Sequence, residues 1–180
     1  VLQSILALII DTAASVLGGV LLLRFWVQTV RVRAPTPISQ FTFQLTDWLV
    51  RPLRRIIPGL GGYDWASLTA AFLVALLATA LEASMQRYFV LVPVLVLALQ
   101  QLLIWITYGL MALIVIEAVF SWVNPQAPLA PFVRALNDPL LSRLRRVVPP
   151  LGMIDLSPLV ALVLLQIVLY LVRTLPNMLL

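Results

Sequence analysis

The sequence predicts an all-α membrane protein of two parallel repeats, each a transmembrane helix, an amphipathic interfacial helix and a second transmembrane helix. Three observations lead there. The chain of 180 residues is 62% hydrophobic and only 11% charged, with a mean hydropathy of +1.06. A soluble domain carries about 25% charged residues, so this chain lacks the polar side chains to cover a water-facing surface. Four apolar stretches have the length of a bilayer crossing. Finally, the segment RPLRRIIPGLGGYDWASL, Arg51 to Leu68, returns ninety-one residues later as SRLRRVVPPLGMIDLSPL, Ser142 to Leu159.

A helix needs about 20 apolar residues to cross a hydrocarbon core of about 30 Å. Leu2 to Leu23 is the first such stretch. No signal-peptide layout with a small-residue cleavage site is evident, so it is expected to stay as a span. Trp65 to Leu81 is the second and Ser157 to Val172 the last. Between them, Tyr88 to Trp122 is apolar almost throughout and would measure about 52 Å as one straight helix. Pro93 and the pair Gln100-Gln101 divide it. Ile104 to Trp122 is read as the true third span. Phe89 to Leu99 is read as an extra short hydrophobic helix, interfacial or re-entrant, or else as a continuation of a neighbouring helix. The expected organisation is a first repeat over 1–86, a hydrophobic connector over 87–103 and a second repeat over 104–180.

Arginine placement sets the expected topology. All twelve basic residues are Arg. Six of them, Arg24, Arg31, Arg33, Arg51, Arg54 and Arg55, lie between the first two spans, and Arg134, Arg143, Arg145 and Arg146 lie between the last two. The positive-inside rule places both segments in the cytoplasm. Four crossings satisfy this, and the halves are then parallel repeats about an axis along the membrane normal.

Each arginine-rich segment carries an amphipathic pattern. Ile38, Phe41, Leu45, Leu49, Leu53 and Ile56 recur at three- and four-residue spacing, as do Phe132, Leu136, Leu140, Leu144 and Val148. Such a helix lies in the interface with its apolar face down, or packs on protein as a cytosolic helix. Pro52 and Pro139 bend it or mark its edges, and Pro58 and Pro149 stop it. Gly61 and Gly152 allow a sharp turn. Asp64 and Asp155, with Ser67 and Ser157 nearby, then stand where helix N-caps stand, each available to pair with an arginine of its module or, alternatively, to bind a cation. Arg51, Arg54, Arg55, Arg143, Arg145 and Arg146 are the candidate lipid- or partner-binding residues, since the guanidinium fork suits phosphate headgroups or an acidic face.

Charges within or beside apolar spans are the remaining candidates. Asp11 shares a small-residue stripe with Ser4, Ala7, Ala14, Ser15 and Gly18, which suits close helix packing; it is equally an N-cap if the span begins at Thr12. Arg24 and Glu117 fall at similar depth when Trp26 is laid on Trp122, so an Arg24–Glu117 pair tying the two halves together is expected. Glu82 is the remaining charge of this kind.

The two modules, with LLLRFW before the first and FSWV before the second, together resemble the YggT family of integral membrane proteins over nearly the whole chain. The second module departs from the first at Arg143, where the first has Pro52, and at Pro150, where the first has Gly59. The resemblance implies a bacterial inner-membrane protein linked to osmotic-stress tolerance, ion homeostasis and cell division, with plastid relatives linked to assembly of a haem-carrying cytochrome complex. A non-catalytic scaffold or assembly factor for a membrane protein complex fits these roles best, and an oligomeric channel or transporter for ion or osmotic homeostasis is the alternative. The chain has no His and no Cys, which removes thiolate catalysis, disulfides and the usual zinc and haem ligation. It carries no nucleophile-elbow, P-loop or dinucleotide fingerprint. No catalytic activity, cofactor, metal or nucleic-acid partner is expected; the expected partners are anionic lipid headgroups and another membrane protein or a second copy of the chain.

Overall fold

The computed structural model describes residues 1–59, 61–85, 90–148 and 155–179. Among them are six helices and no strand: α1 (Leu2–Val30), α2 (Thr36–Ile56), α3 (Trp65–Met85), α4 (Leu91–Val123), α5 (Ala130–Arg145) and α6 (Ser157–Leu179). The helices α1, α3, α4 and α6 are long and apolar enough to cross a membrane. The intervening α2 and α5 are amphipathic. The order long, amphipathic, long therefore occurs twice along the chain.

Of the readings of the third apolar stretch, continuation of a neighbouring helix is the one that holds. α4 runs unbroken for 33 residues, so Leu91 to Leu99 is the beginning of that helix and no separate piece, and 103/104 is not an element boundary. Phe89 lies outside the described residues. The two division signals fail for physical reasons. Pro93 occupies the first turn, where its missing N–H would have had no intrahelical partner. The glutamines find acceptors on neighbouring helices: Gln100 Nε2 donates to the Val172 and Arg173 carbonyls at 3.2 Å each, and Gln101 Nε2 donates to Asp11 Oδ1 at 3.2 Å. At 1.5 Å per residue α4 spans about 50 Å, more than a hydrocarbon core, so in a bilayer it tilts or projects past the headgroups.

Packing is built on small residues. Without a hydrophobic force between helices in lipid, close backbone approach supplies the contact. α3 turns Ala66, Ala70, Ala71, Ala75 and Ala78 inward and buries them, leaving Leu73, Leu77 and Leu81 outside. Against that alanine face lies α1, and α4 packs on both. α4 also carries α6, while α2 sits on α1 and α3 and α5 on α4 and α6, with an edge against α1.

The two amphipathic helices use their apolar stripes differently. On α2, Thr42, Thr46 and Val50 are buried against the spans, while Phe41, Leu45, Trp48 and Ile56 are exposed. On α5 the stripe turns inward: Phe132 and Leu136 are buried against Leu23, Trp26 and Val27 of α1 and Leu113 and Phe120 of α4. Trp26 Nε1 donates to the Leu136 carbonyl at 3.0 Å, joining the halves. For α5 the reading as a helix packed on protein holds at these positions. Both helices continue past Pro52 and Pro139.

Asp11 sits in the interior of α1, which begins at Leu2, so it caps nothing. Ser15 Oγ bonds back to the Thr12 carbonyl. At Gly18 α1 lies directly against α4: a Cβ there would stand 2.3 Å from Trp105 Cζ3, whereas one at Gly19 would meet nothing within 4 Å. Gly18→Ala should therefore destabilise by about 1–3 kcal/mol through overpacking and lower the melting temperature in detergent. Gly19→Ala should be neutral or slightly stabilising, since it restricts the unfolded chain at no steric cost. Equal melting temperatures for the two variants would contradict the Gly18–Trp105 contact.

Candidate functional site

The most highly built polar site lies where α1, α2 and the start of α3 meet. Arg24, on α1, is only 6% exposed. Its Nη1 donates to Thr46 Oγ1 at 2.7 Å and to Asp47 Oδ1 at 2.8 Å. The guanidinium carbon stands 4.8 Å above the Phe43 ring, a cation–π contact. Its Nε faces Asp64 Oδ2 at 3.7 Å, within ion-pair range but too far for a hydrogen bond. Asp47 is shared: Arg51 Nη2 reaches its other oxygen at 2.7 Å, one helical turn along.

Asp64 is the second carboxylate of the site and is 2% exposed. Arg54 grips it with two nitrogens, Nη2 to Oδ2 at 2.6 Å and Nε to Oδ1 at 3.3 Å. The same carboxylate accepts Ser67 Oγ at 2.6 Å and the Ser67 amide at 3.4 Å. Asp64 directly precedes α3, so the amide contact is that of an N-cap to the third helical residue. The approach to it is a turn in which Gly61 and Gly62 both have positive φ, 67° and 85°, open to glycine without steric penalty. Arg54 Nη2 also reaches Gln28 Oε1 at 3.3 Å. Burial pushes both carboxyl groups upward, but the opposing hydrogen bonds and charges outweigh it. Asp47, through Arg24 and Arg51, and Asp64, through Arg54 and Ser67, end below the ordinary carboxylate value.

A related site occupies the second half. Asn137, which stands ninety-one residues after Thr46, donates Nδ2 to Glu117 Oε2 at 2.7 Å and to the Leu113 carbonyl at 2.9 Å. Arg145, the counterpart of Arg54, lies 3.8 Å from Glu117 Oε1 and donates Nε to Asp155 Oδ2 at 2.8 Å. Asp155 Oδ1 accepts the Ser157 amide at 2.9 Å. Burial raises the Asp155 carboxyl, and the bonds from Arg145 and Ser157 more than reverse it. Gly152 and Pro149 lie outside the described residues.

The expected Arg24–Glu117 pair does not form. The two residues do occupy related places, Arg24 against Thr46 and Glu117 against Asn137, but each faces the amphipathic helix of its own half. The direction each residue takes around its helix axis is not legible in the sequence. The halves meet instead through Gly18–Trp105, Asp11–Gln101 and Trp26–Leu136. Of the candidate surface arginines, Arg54 and Arg145 are tied to carboxylates and Arg51, 76% exposed, to Asp47. Arg55, Arg143 and Arg146 are exposed, with no ion-pair partner among the described residues. Thr46, Asn137, Gln28 and Asp47 are the site residues that sequence reasoning left unassigned. The signal that finds two of them is the polar residue before Asp47 and Asp138 at the same offset in both halves. No group of three metal-ligating side chains occurs among the described residues.

A CCB3/YggT family model matches residues 3–85 and 96–176. The chain belongs to the CCB3/YggT family. It is 31% identical over 166 residues to the Escherichia coli protein called YggT, covering 91% of this chain and 86% of that one. An uncharacterised Pseudomonas aeruginosa protein is 36% identical over 170 residues, 89% of this chain and 84% of its own. An uncharacterised Haemophilus influenzae protein is 35% identical over 160 residues, 88% and 86% of the two chains. No solved structure matches. Within this CCB3/YggT chain, the family-model match covers both ionic sites.

Two measurements follow from the geometry. A carboxylate held low by the fold contributes stability above its unfolded pKa of about 3.9, lost as pH falls through the lower folded value. The detergent melting temperature should be level from neutral pH to about pH 5 and drop below about pH 4. Asp64→Asn should remove part of that drop and cost about 1–2 kcal/mol at neutral pH, because it weakens the α3 cap and the hold on Arg54, itself 44% exposed, while Asp47 still meets Arg24. In mutant cycles Arg24→Gln and Asp47→Asn should couple, whereas Arg24→Gln and Glu117→Gln should add within about 0.5 kcal/mol. Coupling in the second cycle and none in the first would overturn the assigned pairs.

Proposed function

We propose that this protein is a non-catalytic scaffold in the bacterial inner membrane, with both arginine-rich segments on the cytoplasmic side, where they dock another membrane protein. The observation that carries this reading is the division of labour among the arginines. Arg24, Arg54 and Arg145 are consumed in internal pairs that hold α2 and α5 in place. Arg55, Arg143 and Arg146 project outward at the ends of those helices. α2, which carries Arg55 in its last turn, exposes Phe41, Phe43, Leu45 and Trp48. An exposed apolar aromatic face on a helix that ends in an unpaired guanidinium suits insertion at a headgroup layer and contact with an acidic partner surface. The charge asymmetry of the segments supports the orientation. The doubled order of elements supports a parallel repeat, each half laying one amphipathic helix at the same membrane surface.

The test replaces Arg55, Arg143 and Arg146 by Lys. Lysine preserves the topological charge but loses the bidentate fork. The variant should insert normally and keep its melting temperature, while membrane proteins that co-purify with the tagged chain from native membranes fall several-fold, since each lost charge-assisted fork is worth about 1.5–3 kcal/mol. Undiminished co-purification would leave these arginines as topology signals alone. Orientation is checked separately. The chain has no Cys, so single Thr36→Cys and Ala127→Cys variants report cleanly. Both should react with an impermeant thiol reagent only from the cytoplasmic side; labelling from opposite sides would contradict the parallel arrangement.

A further inference from the structure

Beside the Arg24 site the fold leaves a cavity of about 320 Å³ between the inner end of α1 and the first turns of α2. Its polar lining is Arg24, Gln28, Ser39, Thr42 and Arg54. We propose that this cavity holds the phosphate headgroup of an anionic glycerophospholipid. The proposal does not depend on the scaffold reading, only on the chain residing in a bilayer.

Three independent features call for an anion. The first is charge balance. Arg24 and Arg54 are the charged residues of the lining and, among the described residues, no carboxylate lines it, so the cavity presents positive charge alone to whatever enters it. The second is the state of Arg24. It is more than nine-tenths buried and lines the cavity, so an anion entering there meets a guanidinium largely shielded from water. The third is α2 itself. Its N-cap is Pro35, which offers no side-chain acceptor, and its first-turn residue Ser39 lines the cavity. A helix N-terminus without an acid or a cap attracts negative charge through its free amides and dipole.

The remaining lining selects a lipid over a soluble phosphate. Leu23, Val27, Val32, Ile38 and Phe43 form the other side of the cavity, a surface with nothing to offer a hydrated ion. Leu23 also lines a second, apolar groove of about 250 Å³ between α1 and α4. In that groove Gly19 and Gly109 leave open space where side chains would stand. A headgroup at Arg24 thus has an acyl path beside it. The second half contains its own control. There one arginine, Arg145, faces two carboxylates, Glu117 and Asp155, and Ala130 stands at the position of Ser39. The balance is negative, so no anion site is expected.

Native mass spectrometry of the full chain in mild detergent, titrated with dioleoylphosphatidylglycerol or dioleoylphosphatidylcholine, tests this. The wild type should retain one phosphatidylglycerol with at least about tenfold preference, the ratio of one charge-assisted contact. Ser39→Glu places a carboxylate in the first turn, where it favours the helix, and should abolish that preference without lowering the melting temperature. Gln28→Glu, beside Arg54, should do the same by supplying the missing anion. Arg134→Gln changes net charge equally but lies elsewhere, and should leave binding intact. Millimolar inorganic phosphate should not displace the lipid. Equal retention of the two lipids, unchanged binding in both Glu variants, equal loss in Arg134→Gln, or displacement by inorganic phosphate would each overturn the proposal.

Discussion

A guanidinium that cannot reach water organises one end of this molecule. Arg24 follows an apolar run of α1 and is covered by α2, so its charge must be met by protein groups or the helix could not pack there. Thr46 and Asp47 meet it from α2, and Asp64 meets it from the start of α3. Those contacts dictate which face of α2 turns inward. The hydroxyl stripe of Thr42 and Thr46 is buried, and aromatic residues are left outside. That is the reverse of a soluble amphipathic helix, and it makes sense only where the outside is apolar. Asp64 then ties three tasks together: it caps α3, it holds Arg54, and it lies within ion-pair distance of Arg24.

The second half repeats the frame with different charges. Glu117 takes the inward-facing place that Arg24 has in the first half, Asn137 replaces Thr46, and Arg145 still holds the aspartate before the next span. The frame thus tolerates opposite net charge. This independence explains why the two halves need no ion pair between them. They are joined by close packing at Gly18–Trp105, by the Asp11–Gln101 amide contact, and by α5 laying Phe132 and Leu136 on the first half. The order of elements recurs with different charges: two arginines line the Arg24 cavity, whereas one arginine faces two carboxylates in the second half. The proposed partner docking and the proposed lipid site rest on different residues, the exposed Arg55, Arg143 and Arg146 for the one and the Arg24 cavity for the other.

Much of this was legible in the residues. The four apolar helices and two amphipathic ones follow from length and periodicity, and the Asp64 and Asp155 contacts from their place before a span. The limits were physical too. Gln100 and Gln101 read as a break because an amide in lipid is costly alone, but both find acceptors on neighbouring helices that local sequence does not reveal. Arg24 and Glu117 are matched in sequence by laying Trp26 on Trp122, while their azimuths depend on which helices pack side by side. The stripe on α5 was visible, but whether it faced lipid or protein depended on α1 being beside it. Thr46 and Asn137 look unremarkable singly; they become a signal only when the two modules are aligned.

The claim that most depends on the geometry is that buried charge, rather than apolar contact, holds α2 against the spans. Hydrogen–deuterium exchange of the full chain in lipid nanodiscs addresses it, comparing wild type with the near-isosteric double variant Asp47→Asn, Asp64→Asn. If the account is right, amides of α2 from Thr42 to Val50 exchange much faster in the variant, while α3 beyond its first turn and α4 keep their protection. Unchanged protection of α2 in the double variant would show that the ionic site is a passenger, and that packing alone sets the fold.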